Sequence, residues 1–145
     1  MKDKTIDYVL RATWQAVAKM YNEEAAKEES TMAIGFTLLS IDPESGSSST
    51  TLGPKMGMEG TSLSRILKSM EEKGLIVRKP NPNDGRGVLI CLTDFGKQKR
   101  DYSKEVVFKF NDAVRAHVSP EDLKGFYKVT SIINELVTEK KIYSN

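Results

Sequence analysis

The stretch "TSLSRILKSMEEKGLIVRKPNPNDGRGVLICLT", residues 61–93, constrains the fold of this chain more than any other. Leu63, Ile66, Leu67 and Met70 recur at three- and four-residue steps, which predicts an amphipathic helix that Gly60 or Thr61 can cap. Gly74 follows Lys73 where helices commonly stop in a left-handed residue. The pattern then changes to two strand-forming runs, "LIVRKP" and "VLICLT", joined by the loop "NPNDGRG". Asn, Asp and Gly in that loop supply the backbone freedom a hairpin needs, and they place Arg86 between two glycines at its tip.

The flanks are helical. Ile6, Leu10, Trp14, Val17 and Tyr21 predict a long helix over residues 5–28, with more apolar surface than a small domain buries at its edge. A second helix starts near Ser30 or Thr31 and ends at Asp42-Pro43, because the residue before proline is pushed out of the helical region. "PESGSSSTT" reads as a loop with a serine near 48 as N-cap, and a short helix follows at 49–57. Gly53 and Pro54 inside that helix predict a distorted or late-starting turn. From Thr93, a further long helix runs to about His117. Ser119-Pro120-Glu121-Asp122 then opens a last helix, with a serine cap, proline at the first position and acids in the first turn.

Charge narrows the function. The net balance is only +2, yet residues 61–100 carry nine Lys/Arg against four Asp/Glu, whereas residues 1–60 carry six against nine. The positive charge therefore sits in the helix-hairpin segment, where it attracts polyanions through counterion release. No apolar run approaches the ~20 residues a membrane span needs, and no signal peptide is expected. A lone cysteine, Cys91, fits a reducing compartment, so a cytoplasmic protein is expected. One histidine, His117, and no nucleophile–base pair argue against an enzyme, a catalytic site or a metal site. No cofactor is implied.

Two short helices joined by a tight turn and followed by a basic hairpin describe a winged helix-turn-helix. The fold class expected is mainly α with a small β-hairpin wing. In such a module the N-terminal polar residues of the second helix reach base edges in the major groove of double-stranded DNA. Here these are Thr61, Ser62, Ser64 and Arg65, with Lys68 and Ser69 one turn on. The wing carries Arg86 toward the adjacent minor groove.

The order of elements, "TSLSRILKSMEEKGLIVR" and the wing "DGRGVLICLTDFG" together resemble the MarR family of bacterial transcriptional regulators. Asp84, Arg86, Leu92, Thr93 and Gly96 stand where that family's wing motif has Asp-x-Arg, Leu-Thr and Gly. The resemblance implies DNA contacts from Ser62, Ser64, Arg65, Thr61 and Lys68, minor-groove or backbone contact from Arg86, and a wing braced by Asp84. It also implies a homodimer on a pseudo-palindromic operator, built from the first helix and the last two. The domains expected are thus 30–93 for DNA binding and 1–29 with 94–145 for dimerisation. Two departures stand out. "LGPKMG" replaces the family's Leu-Ala-x-x-Leu-Gly, and Val88 and Cys91 sit where relatives often have Lys or Arg.

Blander readings compete at each position. Arg65 can pair with glutamates of its own helix, Arg86 can be an ordinary loop arginine, and Asp84 can be a turn former as well as a brace. Cys91 reads as an inert strand residue rather than a redox sensor. Arg11, Trp14 and Tyr21 can line a site for a small aromatic or phenolic effector, although the spacing of the two aromatics fits core or dimer packing equally well and packing is the favoured reading. The rival function is a winged-helix protein–protein interaction module with weak or no DNA binding.

Overall fold

The computed structural model describes residues 4–143, except for the side chains of Asp84 and Arg86. Helix α1 spans Ile6–Ala26, α2 Met32–Ser40, α3 Ser49–Met56, α4 Gly60–Glu72, α5 Asp94–His117 and α6 Pro120–Thr138. Strands β1 (Ser47–Ser48), β2 (Ile76–Asn81) and β3 (Asp84–Leu92) form one antiparallel sheet in the order β1-β3-β2. The chain divides into two compact units, Met1–Val106 and Val107–Asn145, with the boundary inside α5.

In the first unit the helix starts follow the side-chain chemistry of the caps. Thr31 Oγ1 accepts the Ile34 amide at 3.2 Å, and Ser48 Oγ accepts that of Thr50 at 3.3 Å. Asn22 on α1 adds a second acceptor at the start of α2, taking the Met32 amide at 2.9 Å. After α2, the Asp42 carboxylate accepts the Ser45 and Glu44 amides, and these bonds hold its pKa below the usual carboxylate value.

Helix α3 starts at Ser49 despite Gly53 and Pro54 and keeps the proline in its interior, so the expected late start is not observed. The proline has no N–H to give to the Thr50 carbonyl, which costs the helix one ladder bond. Its end compensates. Gly57 is left-handed (φ 65°), and the Met58 and Gly57 amides close on Gly53 O and Pro54 O at 2.9 and 3.2 Å. Helix α4 ends by the same device at Gly74 (φ 75°), with Leu75 N bonded to Met70 O.

The core lies wholly within the region from α2 to β3. Ile34, Leu38, Ile41, Leu52, Leu63, Leu67, Met70, Leu75, Ile76, Ile90 and Leu92 form one buried cluster. Deleting a fully buried member such as Leu52 to alanine costs roughly 2–5 kcal/mol. Helix α1 by contrast buries only Tyr21, whose ring meets Phe36 edge-on at 5.6 Å. Burial raises the Tyr21 phenol pKa.

The second unit is the end of α5 followed by α6. Ser119 caps α6 through the Asp122 amide at 3.0 Å, with Pro120 at the helix start, as the residue order predicts. No residue of α6 is buried, and Phe126, Tyr127, Val129, Ile132, Leu136 and Val137 are exposed.

Two further expectations need correction. "PESGSSSTT" is not wholly loop: Ser47 and Ser48 pair with Ile90 and Leu89 as a third strand. The hairpin turn is also tighter than "NPNDGRG", since Pro82 and Asn83 alone form it and Asn81 pairs with Asp84. Pro80 next pairs with Val88, so Gly85, Arg86 and Gly87 lie in β3 as a bulge rather than at the hairpin tip. Pro80 is tolerated because β2 is an edge strand of the sheet.

Candidate nucleic-acid interface

Helix α4 separates its two chemistries cleanly. Leu63, Leu67 and Met70 are buried in the core, while Thr61, Ser62, Ser64, Arg65 and Lys68 are exposed and Ser69 is half-buried. The periodicity that drives burial of one face therefore forces the hydroxyls and cations onto the other. Neither Arg65 nor Lys68 forms an ion pair with a described residue. The helix's own Glu71 instead reaches across to β2, with Arg78 Nε at 3.5 Å. The pairing of Arg65 with glutamates of its own helix, the bland alternative, is thus not realised.

The start of α4 differs from the expectation of a Thr61 or Gly60 cap. Glu59 occupies the cap position and makes no side-chain hydrogen bond, which puts Gly60 and Thr61 inside the first turn. The first amides of this helix consequently lack a side-chain acceptor, and the helix dipole adds partial positive charge there. Such an end accepts phosphate readily. Exposed hydroxyls at Thr61 and Ser62 flank it.

The wing stands beside this helix. Its second strand is apolar, as "VLIC" suggested: Ile90 is buried, and Val88 packs on the core. Among the described side chains of the wing, the charge lies on β2, where Arg78 and Lys79 are exposed, opposite Ile90 and Leu89 in the ladder. Nothing in the sequence alone distinguishes Lys79, because it sits in a run that reads simply as strand. The Asp84 and Arg86 side chains lie outside the described part of the structure, which fixes only their backbone positions in β3.

The weaker candidates are scattered along α1. Arg11 pairs with Asp7 at 3.5 Å and its guanidinium lies 5.9 Å from the Tyr8 ring centroid. Trp14 is 51% exposed, whereas Tyr21 is buried. Cys91 is half-buried on β3 across from Val77. The His117 ring lies with Nδ1 2.8 Å from the Ala113 carbonyl of its own helix. Among the described residues no group of His, Cys, Asp and Glu could hold a metal ion, and no helix is long and apolar enough to cross a membrane.

Comparison with known proteins finds one family over the winged region. The MarR family model matches residues 31–88, which run from the α2 cap through the wing. That segment is similar to the MarR family over 58 of the 145 residues. A HTH-type transcriptional regulator of Bacillus subtilis, YdgJ, is 33% identical over 75 residues, which is 52% of this chain and 46% of that protein. This match spans about half the length of that relative. Among solved structures, the S. aureus MepR–DNA complex superposes with a TM-score of 0.81 at 20% identity, covering 92% of this chain and 99% of that one. The Streptomyces coelicolor regulator PcaV in complex with its natural ligand gives 0.78 at 20% identity, covering 92% and 94%. The winged-helix fold of these structures thus extends over nearly the whole chain. The family is one of transcriptional regulators.

Proposed function

We propose that this chain is a MarR-type, sequence-specific DNA-binding transcriptional regulator, non-enzymatic and cytoplasmic, that reads a pseudo-palindromic operator as a homodimer. The observation that carries the reading is the polar face of α4. Thr61, Ser62, Ser64, Arg65 and Lys68 are all exposed and no described acid pairs with the two cations, while the opposite face anchors the helix in the core. On this reading α4 enters the major groove. Arg65 and the hydroxyls contact base edges and phosphates, Ser69 completes the face, and the uncapped helix start holds a phosphate. Arg86 reaches the minor groove from its glycine-flanked bulge, and Asp84 braces the wing. Residues 30–93 serve as the DNA-binding domain.

Dimerisation is assigned to residues 1–29 and 94–145. Its support is the apolar surface that the long helices leave open, Ile6, Leu10 and Trp14 on α1 and Phe126, Ile132 and Leu136 on α6. A two-fold dimer reads half-sites about one helical turn, ~10 bp, apart. A small aromatic or phenolic ligand, held by Arg11, Trp14 and Tyr21, modulates operator affinity by favouring one spacing of the two recognition helices. The S. coelicolor neighbour bound to its natural ligand supports a ligand-responsive reading of the fold.

Nuclease protection over the DNA flanking the protein's own gene tests the proposal. A footprint of two half-sites one turn apart is expected, lost in Arg65→Ala. The absence of any protected segment at low salt contradicts it.

A further inference from the structure

The base of the wing is interlocked more tightly than a helix cap requires. Thr93 lies between β3 and α5, and its Oγ1 accepts the Gly96 amide at 3.0 Å, which caps α5. The same hydroxyl donates to Gly74 O at 2.6 Å, with Leu75 O at 3.2 Å, and the Thr93 amide donates to Leu75 O at 3.0 Å. Gly74 is the left-handed residue that stops α4. Gly96 is buried so closely against the Leu75 carbonyl that a Cβ there would overlap it. The first turn of α5 therefore rests on the bare backbone at the end of α4. A second strut reaches the same end, since Lys73 Nζ donates to Glu29 O, just beyond α1, at 3.4 Å.

We propose that Thr93 is a positioning residue for DNA recognition: its hydroxyl, bonded at once to Gly74 O and the Gly96 amide, sets the angle of α4 against the start of α5. The proposal rests on the DNA-binding reading above. Thr93 sits at the far end of α4 from Thr61, and a helix of this length spans roughly 20 Å. A tilt of about 5° at the Gly74 end moves the Thr61 end by about 2 Å, enough to break hydrogen-bond geometry with a base edge. Loosening the joint spreads α4 over several angles, and apparent affinity falls with the fraction in the competent one. Removing an arginine that touches a phosphate would lower the salt dependence of binding, whereas a relaxed helix angle leaves the phosphate contacts and the salt slope intact.

Three variants separate the tether from the cap. Thr93→Val removes the hydroxyl at constant shape, Thr93→Ser restores it, and Thr93→Asp keeps a cap acceptor for Gly96 but has no hydrogen for Gly74 O. Operator affinity is measured well below each variant's melting temperature, together with hydrogen exchange over α4 and α2. Expected are a roughly tenfold loss in Thr93→Val with the salt slope unchanged, recovery in Thr93→Ser, and no recovery in Thr93→Asp. Should Thr93→Val not fold, Thr93→Asp carries the same test with the helix cap retained. Wild-type affinity in either Thr93→Val or Thr93→Asp, or failure of Thr93→Ser to recover, overturns the proposal. If the wild type binds no duplex, the DNA reading fails and the joint is judged by exchange alone. Faster exchange in α4 with α2 unchanged supports it, and a uniform rise across both overturns it.

Discussion

The winged region and the long helices use the same amphipathic pattern to opposite ends. From α2 to β3 the apolar positions converge on one another and form the buried cluster around Leu52, Met70 and Ile90. On α1 and α6 equally regular stripes stay open: Trp14 is 51% and Phe126 57% exposed, and Tyr21 alone is buried across the two helices. Full burial of a side chain of this kind is worth about 1.5–3 kcal/mol. On the proposed reading, such open stripes are covered by a second copy of the chain. The difference teaches that one region specifies its own fold and displays a polar helix, while the other leaves its apolar stripes open, the surface to which the proposed dimer is assigned.

The largest expected effect breaks the self-sufficient side. Leu52→Ala or Met70→Ala removes fully buried volume and should destabilise the protein by about 2–5 kcal/mol, read by denaturant unfolding. Trp14→Ala or Ile132→Ala should change the unfolding of a dilute sample far less. A comparable loss in both pairs at all concentrations would erase the distinction between the regions.

Next come the open stripes. Ile132→Lys or Phe126→Arg should weaken self-association by about 2 kcal/mol, roughly thirtyfold, in sedimentation equilibrium, with the monomer still folded. Unaltered association would place the interface elsewhere. On the displayed helix, Arg65→Ala should cost about 1–3 kcal/mol of operator binding and relax sequence preference. Lys68→Ala should weaken all duplexes alike and lower the salt slope by about one.

The smallest effect concerns acid. The two backbone amides depress the Asp42 pKa, so the turn after α2 contributes stability above the unfolded value near 3.8 and loses it as pH falls through the lower folded value. Asp42→Asn should therefore flatten the acid limb of the melting profile slightly while lowering the melting temperature at neutral pH. An identical acid limb in both proteins would remove the carboxylate from the account.

Much of this architecture was legible because its signals are local. The four-residue rhythm of Leu63, Ile66, Leu67 and Met70, the stop at Gly74 and the Ser119-Pro120 start each act within a turn or two of helix, and each element appears there, with α4 capped at Glu59 rather than at Gly60 or Thr61. What escaped was non-local. Ser47 and Ser48 carry no strand signal of their own, and they become a strand only because Ile90 and Leu89 present a free edge. The register of the hairpin depends on how many residues β3 leaves unpaired opposite Pro80 and Asn81, so Arg86 moved from tip to bulge. Gly85 and Gly87 allowed either solution. Pro54 was the reverse case, since local propensity argued against a regular α3 and tertiary burial of Leu52 with the Gly57 end overrode it. The chemistry of the candidate surface was readable on α4, where burial and polarity alternate, but the basic contribution of Lys79 was hidden in a strand-like run.

The central claim is that the exposed face of α4 and the wing bind duplex DNA. The measurement that tests it most directly is a salt titration of binding to the protected promoter fragment by wild type, Arg65→Ala and Arg86→Ala. Affinity should fall steeply and linearly on logarithmic axes, roughly a hundredfold or more between about 50 and 200 mM salt, and each variant should bind more weakly throughout. Salt-independent binding, or both variants matching the wild type, would contradict the claim.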